Sequence, residues 1–166
     1  MTEMMHTCYI GMGSNLGDSR KILQEAIRQL QKLGTVKVSR LYASPPMGPQ
    51  DQPDYLNAVV SLQTQLEPLS LLDELQRIEH DSGRVRLRHW GERTLDLDLL
   101  LYDAQNIQHP RLTVPHAGLM QRDFVILPLL DLVADLQVNG IVLKQLDCIK
   151  HASAQAIAAS DWYDPI

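Results

Sequence analysis

Asp96 and Asp98 are the sharpest chemical signal in the chain. They lie in residues 94–102, where Leu95, Leu97, Leu99 and Leu101 alternate with Asp96, Asp98, Leu100 and Tyr102, the period of a β-strand. That period puts both carboxylates on one side of the strand, about 7 Å apart along it. Magnesium is typically held by one or two carboxylates together with substrate phosphates, so the pair can seat two hard cations if a nucleotide supplies the other oxygens. A merely solvated strand face also meets the alternation. The neighbourhood weighs against it.

Immediately upstream, Arg84, Arg86, Arg88 and Arg93 place four of the chain's ten arginines within ten residues, in a stretch that also holds Trp90 and Gly91. A guanidinium fork meets two phosphate oxygens at once, which an ammonium cannot do. In isolation such a basic run is usually a solvated loop. Here it leads into the carboxylate pair of a chain whose net charge is −5, so any bound anion must be met by a local patch. Cations beside arginines make a polyphosphate site, and phosphoryl transfer draws most of its catalysis from positioning and charge neutralisation. The same acidic balance argues against a sequence-independent nucleic-acid binder.

Other residues fit either the site or the fold. Residues 11–17, Gly-Met-Gly-Ser-Asn-Leu-Gly, fail the dinucleotide fingerprint because Leu16 stands in the third-glycine position, and no GKS or GKT supplies a P-loop. They predict a tight strand-to-loop turn, either beside the ligand or purely structural. Tyr55 and Asn57 share a strand face: an amide can donate to and accept from a heterocycle edge, and a ring can stack on its plane. Phe124, the only phenylalanine, is core by default, as is Trp90. His116, after Pro115, fits a phosphate contact and a turn cap equally. Cys8 and Cys148 belong to no CxxC and read as buried reduced thiols rather than zinc ligands or a disulfide.

The elements that carry these groups follow from periodicity. Residues 8–12 are apolar and bounded by turn residues, predicting a first strand. Ile22, Leu23, Ala26, Ile27, Leu30 and Leu33 then fall on one helical face, with Asp18 or Ser19 to cap its start and Gly34 in the place of a C′ glycine. Residues 36–43 predict a second strand. Pro45, Pro46, Pro49 and Pro53 exclude regular structure from residues 44–53 and lower the entropy lost when a loop closes over a ligand. Residues 55–66 predict a third strand, with Leu56, Ala58, Val60 and Leu62 on one side and Tyr55, Asn57, Val59 and Ser61 on the other. Pro68 opens a second helix with the buried stripe Leu71, Leu72, Leu75 and Ile78, with Gln76 and Glu79 on a neighbouring face and Gly83 at its end.

With residues 94–102 as the fourth strand the order is βαββαβ. This predicts an α+β, ferredoxin-like core with an antiparallel sheet, both helices on one face and the other face open to ligand. Beyond it, residues 114–119 and 124–133 suggest short helices or a strand, Asn139-Gly140 marks a hairpin, and residues 152–159 predict a terminal helix. No repeat or linker divides the chain, so residues 1–166 read as one domain. No signal segment or membrane-length apolar run is present, and a soluble cytoplasmic protein is expected.

Laid out this way, the chain strongly resembles the 6-hydroxymethyl-7,8-dihydropterin pyrophosphokinase family. Four separated segments carry the match: residues 9–17, 44–57 and 83–98, and Leu112-Thr113-Val114-Pro115-His116 with Arg122 and Phe124. The loop Pro46-x-Gly48-Pro49-Gln50-Asp51-Gln52-Pro53 and the run Arg93-Thr94-Leu95-Asp96-Leu97-Asp98 are its most specific parts. The resemblance implies a ferredoxin-like core, two magnesium ions on Asp96 and Asp98, and transfer of the β,γ-pyrophosphoryl group of ATP to the pterin hydroxymethyl oxygen. AMP leaves, in a step of folate biosynthesis.

Residue by residue, the resemblance implies ATP contacts at Gln76, Glu79, Arg86, Trp90, Arg93, Arg111, Leu112, Thr113, His116 and Arg122. It implies catalytic roles for Arg84 and Arg93 beside the aspartates. It also implies a pterin pocket of Ser44, Pro45, Met47, Tyr55, Asn57 and Phe124, whose two rings sandwich the heterocycle, and a loop bearing Trp90 that closes over both ligands. Leu87, His89 and Ala117 depart from the family's usual pattern. A monomer binding ATP and the dihydropterin, with no nucleic-acid or membrane partner, is expected.

The competing reading is a non-catalytic ferredoxin-like module, because fold does not determine function. RNA recognition would need aromatic, basic central strands, yet aromatics are 5% of the chain and the third and fourth strands present Asn57, Asp96 and Asp98. A small-molecule regulatory module would have no use for paired strand aspartates beside an arginine loop.

Overall fold

The computed structural model describes residues 4–45, 52–82 and 94–163. Its first strand is β1 (His6–Ser14), followed by α1 (Ser19–Gln31), β2 (Thr35–Val38), β3 (Leu41–Ser44), β4 (Tyr55–Thr64), α2 (Pro68–Asp81) and β5 (Asp96–Tyr102). Thereafter come the hairpin β6 (Ile107–His109) and β7 (Leu112–Val114), α3 (Asp123–Leu132), a second hairpin of β8 (Gln137–Val138) and β9 (Ile141–Val142), the one-turn α4 (Asp147–Lys150) and β10 (Gln155–Ala158). The main sheet runs β10-β3-β4-β1-β5, with β2 also on β4, and its pairings are antiparallel.

Both long helices form for the reasons their sequences give. In α1, Leu23, Ala26, Ile27 and Leu30 are buried, and the Asp18 carboxylate accepts from the Lys21 amide to cap the first turn. In α2, Pro68 occupies the first turn, where its missing N–H costs nothing, and Leu71, Leu72, Leu75 and Ile78 are buried. The two stripes pack with Cys8, Ile10, Ala58, Val60, Leu62, Leu95, Leu97 and Leu99 into one core on one face of the sheet. Truncating a fully buried member such as Leu75 costs about 2–5 kcal/mol.

The second face is not simply open. Val59, Leu100 and Leu101 point into a second core closed by α3 through Val125, Ile126 and Leu129. Apolar side chains on that side of the sheet must be covered, so α3 takes part of the face and leaves the remainder as a cavity.

Several expectations change. The strand expected at 36–43 is interrupted at Ser39, whose hydroxyl accepts from the Val59 amide, so that β2 and β3 pair with β4 as two pieces. Leu101 and Tyr102 exchange faces relative to the alternation. A register shift between Tyr9 and Ile10 leaves Leu100 as the extra residue of a β-bulge, after which Leu101 joins the second core and Tyr102 the first. Gly34 does not take the left-handed cap conformation. It is needed because a side chain there would run into the Gln63 carbonyl.

Residues 152–159 do not form a helix. Asp123 at the start of α3 accepts from the amides of Ser153, at 2.6 Å, and Ala154, at 2.9 Å, and residues 155–158 pair with β3. An isolated eight-residue helix is marginal, whereas the open edge of β3 offers a ready ladder. The Asn139-Gly140 hairpin forms as expected, both residues having positive φ. Gly83, expected to end α2, lies outside the described residues; Ser82 caps that helix. Among the described residues no helix is long and apolar enough to cross a membrane.

Candidate active site

The site is built across three adjacent strands. Gly13 of β1 lies opposite Asp96 of β5 on one side and Asn57 of β4 on the other; Gly11 lies likewise between Asp98 and Val59. Adjacent strands are about 4.8 Å apart, so the acidic and amide walls stand roughly 10 Å apart across a floor of backbone. The floor is tightly made: a Cβ at Gly13 would stand 3.3 Å from Asn57 Oδ1. Both glycines belong to β1, which runs on to Ser14, and not to the turn expected at residues 11–17. In the described chain that turn begins at Asn15, and Gly17 alone there has positive φ. Glycine at period two along a strand was the available signal for a bare, cavity-facing backbone.

These strands and α3 enclose a cavity of about 270 Å³ lined by Ser44, Pro45, Tyr55, Asn57, Asp96, Asp98, His116, Arg122 and Phe124, with Gly11, Met12, Gly13, Ala58 and Val125. Residues proposed from distant parts of the sequence thus meet in one place. At its inner end the buried Asn57 amide donates to Ser44 Oγ at 2.7 Å, which leaves Asn57 Oδ1 as an acceptor and the Ser44 O–H as a donor for one planar ligand edge. Tyr55 and Phe124 are half-buried on this wall.

At the other end Asp96 and Asp98 are partly exposed on one face of β5, as the period of two requires. His116 is set by its backbone: its amide donates to the Leu100 carbonyl at 3.0 Å, and its Nδ1 accepts from the Gly118 amide at 3.1 Å. The neutral ring therefore carries its proton on Nε2, which lies 3.9 Å from Asp98 Oδ1 and so faces the acidic wall as a donor. Among the described residues no carboxylate pairs with the Arg122 guanidinium, and no cluster of three or more His, Cys, Asp or Glu side chains could hold a metal by itself. Two carboxylates lining one cavity suit a hard cation whose remaining ligands are water and phosphate oxygens, not an all-protein cage.

Another group flanks β5 outside the cavity. Arg111 pairs with Asp73 and donates to Gln76 Oε1 at 3.3 Å. Glu79 is buried, and its Oε2 accepts from the Leu97 amide, between the two aspartates, at 2.8 Å. Leu112 is buried in the first core and Thr113 is exposed on β7. Met47, Arg84, Arg86, Trp90 and Arg93 lie outside the described residues, as do Leu87 and His89; Ala117 is exposed. Asn15 and Gln52 lie in segments that carry the resemblance but were assigned no role: buried Asn15 donates to Gln52 Oε1 and to the Pro53 carbonyl, each at 2.9 Å, tying the end of β1 to the approach to β4.

Residues 9–134 match the family model described as 7,8-dihydro-6-hydroxymethylpterin-pyrophosphokinase. The chain belongs to this family. A 2-amino-4-hydroxy-6-hydroxymethyldihydropteridine pyrophosphokinase of Haemophilus influenzae is 54% identical over 86% of this chain and 91% of its own. One of the same name from Pseudomonas aeruginosa is 48% identical over 81% and 85%. Pyrophosphokinases of this family are enzymes, so the competing reading of a non-catalytic module is set aside. The fold is similar to solved Plasmodium falciparum HPPK-DHPS, for example the wild type with pterin and p-hydroxybenzoate, at a TM-score of 0.70 and 15% identity over 94% of this chain. The chain spans 47% of that longer one, and at this identity the likeness concerns the fold alone.

Proposed function

We propose that this chain transfers the pyrophosphoryl group of ATP to the hydroxymethyl group of 6-hydroxymethyl-7,8-dihydropterin, releasing AMP, in folate biosynthesis. The observation that carries the reading is the convergence of an amide–hydroxyl edge, two rings and two strand carboxylates on one cavity with a glycine floor. The pterin takes the Asn57 and Ser44 end, its ring between Tyr55 and Phe124, with Pro45 and Met47 closing that pocket. Its hydroxymethyl group then points along the floor toward Asp96 and Asp98.

ATP takes the acidic end. Asp96 and Asp98 would hold two magnesium ions, which would neutralise phosphate charge and ease deprotonation of the attacking hydroxyl. The His116 Nε2–H and the Arg122 guanidinium donate to phosphate oxygens, joined by Arg84, Arg86 and Arg93 from the segment before β5. Gln76, Glu79, Arg111, Leu112 and Thr113 border the nucleotide beyond β5. Leu112 can do so only through its backbone, because its side chain is in the core. The pterin oxygen bonds to the β-phosphorus as the bond from that phosphorus to the α,β-bridging oxygen breaks. AMP departs with the bridging oxygen, and the hydroxyl proton is released. The loop bearing Trp90 excludes water that would compete as acceptor.

The sheet order β5-β1-β4 followed by the split strand β2 and β3, with α1 and α2 on one face, supports the ferredoxin-like assignment. The enzyme is read as one cytoplasmic, monomeric domain. Incubation with ATP, magnesium and the hydroxymethyl-dihydropterin is expected to yield AMP and the pterin pyrophosphate in equal amounts. Asp96→Ala and Asp98→Ala should each lower turnover at least a hundredfold with an unchanged melting temperature, since both side chains are partly exposed. AMP release by both variants at the wild-type rate would remove the proposed metal role.

A further inference from the structure

Gly118 does not itself line the cavity, yet two groups that do, His116 and Arg122, depend on it. Its N–H donates to His116 Nδ1 at 3.1 Å and so keeps the proton of the neutral ring on Nε2, toward Asp98. Its other face is covered by the Arg122 side chain. A Cβ built on Gly118 would stand 2.6 Å from Arg122 Nε and 2.7 Å from its Cζ, closer than real side chains approach. The backbone does not ask for glycine, because φ is −92° and ψ is 4°, a conformation open to other residues. What the position requires is empty space for a guanidinium.

We infer that Gly118 is a positioning residue of the active site: it seats the Arg122 guanidinium against a bare Cα while its amide sets the donor tautomer of His116. The turn is well placed to do so. The His116 amide pins it to β5 through the Leu100 carbonyl, the Leu119 amide donates back to the His116 carbonyl, and Arg122 leads directly into α3. One glycine therefore holds the relation between a cation from the start of α3 and a donor facing the acidic wall. An added methyl group would meet the far end of a flexible side chain, so the fold survives and the guanidinium must move.

The inference rests on the placement of Arg122 at ATP proposed above, and the experiment separates the two. Gly118→Ala, Arg122→Ala and the double variant are compared for kcat/KM toward ATP, KM for the dihydropterin, melting temperature and, by NMR, the Arg122 Nε–H resonance. Gly118→Ala is expected to lower kcat/KM for ATP by about tenfold to a hundredfold, as misplacement of a positioned group does. Pterin KM and melting temperature should be unchanged, the Nε–H resonance should shift, and in the Arg122→Ala background the same substitution should cost nothing further. Wild-type kinetics and an unshifted resonance in Gly118→Ala would overturn the inference, as would an equal loss in both backgrounds. If Arg122→Ala is itself as active as wild type, the ATP role of Arg122 fails instead, and the resonance alone then decides whether Gly118 sets the guanidinium's position.

Discussion

At Asn57 one side chain serves the fold and, in the proposed site, the pterin. Its Nδ2 is committed to Ser44 and reaches the Tyr55 carbonyl at 3.4 Å, while Oδ1 stands over the Gly13 floor. Asn57→Ala removes the acceptor and strands the buried Ser44 hydroxyl, a loss of about 1.5–3 kcal/mol, or roughly tenfold to a hundredfold. It should appear as a raised KM for the dihydropterin with ATP affinity unchanged; a selective loss of ATP binding would reverse the two subsites. Cys8 is the opposite kind of residue. Fully buried in β1 and near Asp103, its thiol is pushed up to about 12, first by burial and then by that carboxylate. Alkylating reagents at neutral pH should therefore modify Cys8 only after unfolding, which peptide mapping with and without denaturant would read.

At the scale of elements, α3 is the piece that turns a sheet face into a cavity, and it is fastened at both ends. Asp131 near its end accepts from the Arg40 amide and guanidinium and from the Tyr42 hydroxyl at 2.9 Å. Asp123 at its start holds the amides of Ser153 and Ala154 and so feeds β10 onto β3, whose end carries Ser44. Asp123→Ala should cost about 1–2 kcal/mol and speed amide hydrogen exchange across residues 155–158, leaving α1 and α2 protected. Wild-type exchange there would show that strand pairing alone holds the tail.

For the whole molecule, stability at alkaline pH follows from groups kept neutral inside. Burial, and then the bond to Asp131, pushes the Tyr42 hydroxyl from 10.0 up to about 12; burial also raises Tyr102, and Cys8 rises from 9.0. All three folded values lie above the unfolded ones. The stability they contribute is complete below about pH 9 and is lost progressively as pH rises toward 12, where the unfolded chain ionises first. Urea midpoints measured from pH 7 upward should be flat and then fall, and Tyr42→Phe should fall less steeply; an unchanged slope in that variant would assign the loss to other groups.

What could be read along the chain is what repeats along it. The stripes of α1 and α2 and the common face of Asp96 and Asp98 are consequences of helical and strand periods, and each stands where its spacing put it. Asn57 and Tyr55 likewise follow from the alternation in β4; the family and its reaction came instead from the resemblance carried by residues 9–17, 44–57, 83–98 and 112–116. The remainder depended on partners distant in sequence. The bulge that exchanges Leu101 and Tyr102 arises in pairing with β1, and residues 155–158 become a strand because Asp123 and β3, far upstream, offer them bonds. Gly118 mattered only once Arg122 lay over it. Local periodicity decides which face a side chain takes, whereas pairing register and close approach depend on what tertiary packing brings to that face, and only the folded chain determines those.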